Sequence, residues 1–154
     1  MKELQKYVAA GCPVVAIETY EDGRFCSSLL SDFPDSQVFS IASVGGMKDL
    51  QKGSTDPGAK YDSALTKFAE LAARNVSNPE APPAFLIILD YQHIIQNAVP
   101  YRNLLAALPT VKAGGCMIVL IAPAWNLPQE LQREVKVLQY NLPVLRNTPY
   151  ILLS

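Results

Sequence analysis

Apolar positions along the chain follow two alternating patterns. Runs that are apolar on both faces predict five buried strands. They are Pro13–Tyr20, Gln37–Ser43, Ala84 into Asp90, Cys116–Trp125 and Val135–Tyr140. Between them, apolar residues recur at helical spacing. Lys2–Ala10 carries Leu4, Tyr7 and Val8, and a second helix is capped by Asp22 and runs through Phe25, Leu29 and Leu30. Pro57 is expected to open a long amphipathic helix with Tyr61, Ala64, Leu65, Phe68, Leu71 and Ala72 on one face. Another helix covers Tyr101–Val111 before Gly114-Gly115, and Asn126-Leu127-Pro128 opens a short one. "SVGGMKDLQKGSTDPG" reads as a loop, and "NVSNPEAPP" as a surface connection. Strands alternating with helices predict an α/β fold, a three-layer αβα sandwich around a mainly parallel five-stranded sheet. No repeat or linker divides the chain, so residues 1–154 read as one domain.

Composition narrows the function classes. The chain is 49% hydrophobic and 18% charged, with a net charge of −1. That balance leaves no basic footprint for nucleic acid or an anionic membrane. No apolar run reaches the length of a membrane span, and no charged-then-apolar leader opens the sequence. Cys12, Cys26 and Cys116 are odd in number and lie in apolar surroundings. Reduced thiols in the cytoplasm are the expectation.

The loop after the first strand carries the main chemical question. A nucleotide-binding protein would place glycines and a lysine there, with amides and a helix amino terminus facing the phosphates. This chain offers Glu18, Thr19, Tyr20, Glu21 and Asp22, with Arg24 the one cation nearby. Charges ~4 Å apart interact by ~4 kcal/mol at an effective dielectric of 20, and here the sign against a phosphate is repulsive. No G-x-x-x-x-G-K-[ST] occurs in the sequence.

Two alternatives remain for those carboxylates. Glu18 or Glu21 could meet Asp90 at the carboxyl ends of the strands and hold a divalent metal. A Toprim-like phosphoryl-transfer or nuclease centre would need Asp-x-Asp, however, and the chain gives Asp90-Tyr91-Gln92. The structural alternative has Asp22 capping a helix, Glu21 favouring its positive end, and Glu18 paired with Arg24. His93 is the single histidine, so no histidine pair or multi-histidine metal site can form. No G-x-S-x-G or G-x-G-x-x-G supports a serine hydrolase or a dinucleotide site.

"FLIILD" ends a bulky apolar strand in one Asp, in the manner of a Walker B strand. "APAWNLPQEL" has the form of a sensor-one region, and "VLQYNLP" that of a fifth strand running into Leu-Pro. With "IETYEDGR" and "LDYQH", these stretches resemble the amino-terminal domain of AAA-type ATPases of the cyanobacterial and plastid hypothetical-chloroplast-frame group. The resemblance spans Val14 to Pro143. It implies an AAA or P-loop-NTPase-like sheet of strand order 5-1-4-3-2, with Asp90 at a degenerate Walker B position. It also implies a non-catalytic domain with no cofactor, acting as an interaction or regulatory module beside an ATPase module expected to follow. The expected partners are a protein, such an ATPase module, or a second copy in a homodimer. The candidate interaction surface is Trp125 with Tyr150, Ile151, Leu152 and Leu153, which are too apolar to be a solvated terminus.

Overall fold

A computed structural model of the chain describes residues 2–42, 44–89, 98–122 and 135–139. Seven strands form one sheet: β1 (Val14–Glu18), β2 (Val38–Ile41), β3 (Met47–Asp49), β4 (Ser54–Asp56), β5 (Phe85–Ile88), β6 (Met117–Ala122) and β7 (Val135–Gln139). Their order is β4-β3-β2-β5-β6-β1-β7. The five strands read from the sequence lie in the expected order and are mutually parallel. In register, Val14 faces Ile118 and Val135, while Leu86 faces Ile118 from the other neighbour.

Two helices are described on each face. α1 (Lys2–Ala9) and α2 (Asp22–Asp32) cover one, and α3 (Tyr61–Val76) and α4 (Ala98–Ala113) the other. Because side chains alternate across a strand, each central strand feeds both cores. Val14, Ala16, Leu86, Ile88, Ile118 and Leu120 pack with Leu65, Phe68 and Leu104. Val15, Ile17, Phe85, Ile87, Val119 and Ile121 pack with Leu4, Phe25 and Leu29. Burial on both faces explains the unbroken apolar runs, and each such side chain contributes about 1.5–3 kcal/mol of transfer free energy.

Two helices end in the same way. The amide of Gly11 (φ +76°) donates to Val8, and Cys12 donates to Tyr7. Gly115 (φ +69°) donates to Lys112, and Cys116 to Val111. This is the Schellman pattern, in which a left-handed glycine satisfies the last carbonyls. Each Gly-Cys then enters a central strand, and β1 and β6 are neighbours.

The stretch expected to be a loop contains a hairpin instead. β3 runs antiparallel to β2, and β4 antiparallel to β3, so the sheet gains two strands beyond β2. Asp49 Oδ1 accepts the amides of Gln51 and Lys52, both at 3.0 Å, which shapes the turn. Gln51 Nε2 then donates to the carbonyls of Pro34 (2.9 Å) and Ser36 (2.7 Å), tying the turn to the segment before β2. At the other end, Lys67 Nζ lies 2.9 Å from Asp56 Oδ2 and fastens β4 to α3.

The third helix also starts later than Pro57. Asp56 Oδ1 accepts the Gly58 amide at 3.3 Å, and Ala59 donates to the Asp56 carbonyl at 3.2 Å, so Pro57 occupies a turn. The Ser63 hydroxyl both accepts the Lys60 amide and donates to its carbonyl, each at 2.9 Å, fixing the start at Tyr61. The fourth helix is longer than expected, beginning at Ala98.

Candidate functional site at the carboxyl rim of the sheet

The carboxyl ends of β1, β2, β5 and β6 share one rim, the place where ligands bind in open α/β sheets. Helices must return from this rim to feed the next parallel strand, so α2 and α4 begin on it. Between β1 and α2 the chain has three residues, Thr19, Tyr20 and Glu21. A phosphate loop needs a longer stretch, with several backbone amides free to face the anion.

Two of the amides here are engaged by side chains. Thr19 is buried, and its Oγ1 accepts the Glu21 amide at 2.9 Å. Asp22 Oδ1 accepts the Gly23 amide at 2.7 Å, and the Glu21 carbonyl accepts the Phe25 amide at 3.0 Å. Glu21, not Asp22, is the residue preceding α2, and its side chain makes no capping bond. Asp22 stands in the first turn, where its charge still favours the helix dipole. Arg24 Nε lies 3.7 Å from Glu21 Oε2. Both side chains are substantially exposed, and such a pair stabilises little.

Glu18 and Glu21 therefore sit on the rim, at the end of β1 and the start of α2, both half-buried. Asp90, His93, Trp125, Tyr150, Ile151, Leu152 and Leu153 lie outside the described residues. Among the described residues, no group of three His, Cys, Asp or Glu side chains is placed to hold a metal ion.

Among the described residues, the titratable groups with displaced pKa values move away from neutrality. Burial, aided by the charge of Asp22, pushes the Cys26 thiol up to about 11. Burial also raises Cys116, and raises Tyr61 with help from Asp62. The hydrogen bond and charge of Lys67 lower Asp56. General acid–base work at neutral pH needs shifts in the opposite sense.

A second concavity, a groove of about 440 Å³, lies between α3 and the hairpin. Phe39, Met47, Phe68 and Leu71 line it, with Asp49, Asp56, Lys67, Glu70 and Arg74 bringing charges of both signs. The sequence reading missed this groove because it missed the hairpin. Asp49 before the four-residue turn 50–53, and Gly53 as its last residue, were the available signal.

Tyr20, in the same turn as Thr19, is 87% exposed.

Residues 1–140 match the family model described as the SpoVK-like AAA ATPase, N-terminal domain. The chain belongs to that family. The strand order and the rim just described are thus those of a SpoVK-like N-terminal domain. A solved structure similar to part of the chain is EccC (ATPases 2 and 3) of Thermomonospora curvata, in complex with a signal sequence peptide. It is 14% identical, with a TM-score of 0.46, over 86% of this chain and 30% of that one. No curated protein matches the SpoVK-like chain. No helix among its described residues is long and apolar enough to cross a membrane.

Proposed function

We propose that this SpoVK-like N-terminal domain is a non-hydrolysing interaction module. On this reading it acts in the cytoplasm beside an AAA ATPase module, a neighbouring copy or a client protein, and needs no cofactor. Kinship with the cyanobacterial and plastid group belongs to the same proposal.

One observation carries it. The turn between β1 and α2 is three residues long, and the amides of Glu21 and Gly23 are engaged by Thr19 and Asp22. An incoming triphosphate would have to displace a carboxylate from Gly23 and approach Glu18, Glu21 and Asp22, with Arg24 the cation nearest them in the sequence. Nucleotide binding is therefore disfavoured by geometry and by sign.

Equilibrium dialysis against Mg-ATP tests the reading. A dissociation constant weaker than ~100 μM, about −5.5 kcal/mol, is expected, together with no phosphate release. Tighter binding or sustained turnover would overturn it.

A further inference from the structure

We infer that the groove between α3 and the β3–β4 hairpin receives an extended segment of a partner protein. That segment sets an apolar side chain in the groove and, two residues away, an aspartate or glutamate on Arg74. The inference rests on the interaction-module reading and names the partner chemistry for it.

The groove exists because the sheet is wider than the helix that covers it. α3 buries Ala64, Leu65, Phe68 and Ala72, while the hairpin carries the sheet two strands past β2. Phe39, Asp49 and Ser54 are in cross-strand register, as are Ile41, Met47 and Asp56, so both rows belong to one face of the sheet. The concavity left beside α3 is about 440 Å³, with Phe39, Met47, Phe68 and Leu71 in its lining. That lies within the ~300–1,000 Å³ of a binding pocket.

The ladder fixes the backbone of the occupant. β4 is the last strand of the sheet. The Leu50 amide donates to the Val38 carbonyl at 2.8 Å, so Leu50 and Lys48 turn their backbone groups toward β2. Those of Asp49 and Met47 therefore turn toward β4, and the Asp49 carbonyl accepts the Gly53 amide at 2.8 Å. Ser54 and Asp56, their register partners, point back, which leaves the amide and carbonyl of Thr55 on the open side. Among the described residues, neither group has a hydrogen-bond partner, and Thr55 lines the groove. An extended segment that pairs with Thr55 sets alternate side chains over the groove. Gly53 lies in the turn and Pro57 has no amide to offer, so the pairing ends after one residue and does not propagate.

Charge complementarity selects the side chains. At the carboxyl-rim end of the groove, Lys67 is already paired with Asp56 at 2.9 Å. α3 runs back from that rim, so Arg74, in its last turn, stands toward the other end with Gln37 and Ser54. Among the described residues, Arg74 makes no ion pair, and no hydrogen bond engages the side chains of Gln37 and Ser54. Asp49, beside Ser54 in register, has its Oδ1 engaged by the Gln51 and Lys52 amides. This set of donors favours a carboxylate. Glu70, one turn before Arg74, opposes a run of them. Residues two apart on an extended segment share a face at about 6.6 Å. Leu71 and Arg74 are about 4.5 Å apart along α3, so an apolar residue on Leu71 brings the acid to Arg74.

The test uses the full ¹⁵N-labelled chain and three nine-residue peptides, acetylated and amidated so that no terminal charge competes. Each is threonine throughout except for a central leucine and, two positions later, glutamate, glutamine or lysine. The glutamate peptide should displace the amide signals of Phe39, Asp49, Thr55 and Arg74 saturably and slow hydrogen exchange at the Thr55 amide. It should bind about fivefold tighter than the glutamine peptide, with the lysine peptide weakest. Arg74→Gln, at an exposed site, should leave the melting curve unchanged and reduce the glutamate peptide to the affinity of the glutamine one. No displacement at ~5 mM glutamate peptide, equal binding of all three, an unprotected Thr55 amide in the bound form, or indifference to Arg74→Gln would overturn the inference. None of these outcomes bears on Mg-ATP binding, so the inference can fail while the broader reading stands.

Discussion

The buried hydroxyl of Thr19 accepts the backbone amide of Glu21 at 2.9 Å, closing the turn that stands where a phosphate loop would be. This one bond withdraws an amide from any anion.

Thr19→Val keeps the shape of the side chain and removes the acceptor. The Glu21 amide is then left without its partner, at a cost of about 1–2 kcal/mol. Thr19→Ser should retain most of that stability. Hydrogen exchange at the Glu21 amide should quicken in the valine variant and change little in the serine one. Unchanged exchange in both would show that the bond does not hold the turn.

The Asp56–Lys67 pair should make a small, pH-dependent contribution to the hairpin. Lys67 holds the Asp56 carboxyl below the ordinary value of 3.8, so the folded form favours the carboxylate. The contribution is present above the unfolded pKa and is lost as pH falls through the lower, folded value. Carboxyl ¹³C shifts should show Asp56 titrating below other exposed aspartates, and Lys67→Met should return it upward. A titration indifferent to Lys67 would remove this pair as the hairpin's fastening.

Gly114 tests the packing of α3 against the end of α4. A Cβ built there would lie 2.8 Å from the carbonyl carbon and 3.0 Å from the Cα of Ala72, both rigid backbone atoms. Gly114→Ala should therefore destabilise the domain by about 1–3 kcal/mol, as overpacking does. Urea unfolding measures this, and a stability equal to wild type would mean that the helices separate without cost.

The sequence made the central sheet legible because Val14–Ile17, Phe85–Ile88 and Met117–Ile121 are buried on both faces. Their order was not written in any local pattern and came with the family resemblance. The hairpin was illegible for a physical reason. β4 is Ser-Thr-Asp, all exposed, and β3 buries Met47 alone, so neither has a strand's apolar signature. Contacts distant in sequence hold them, Gln51 with Pro34 and Ser36, and Lys67 with Asp56. At the rim, the carboxylates were legible one by one. The exposure of Tyr20 was not, since the surroundings of a turn side chain are set by the tertiary fold.

The most direct test reads the β1–α2 turn itself. Mg-ATP is titrated into the ¹⁵N-labelled chain to ~1 mM while the amide signals of Thr19 through Arg24 are followed. The account predicts that these signals stay in place, because the Glu21 and Gly23 amides are engaged by Thr19 and Asp22. A saturable displacement confined to those residues would show that the turn opens to receive a phosphate, and would contradict it.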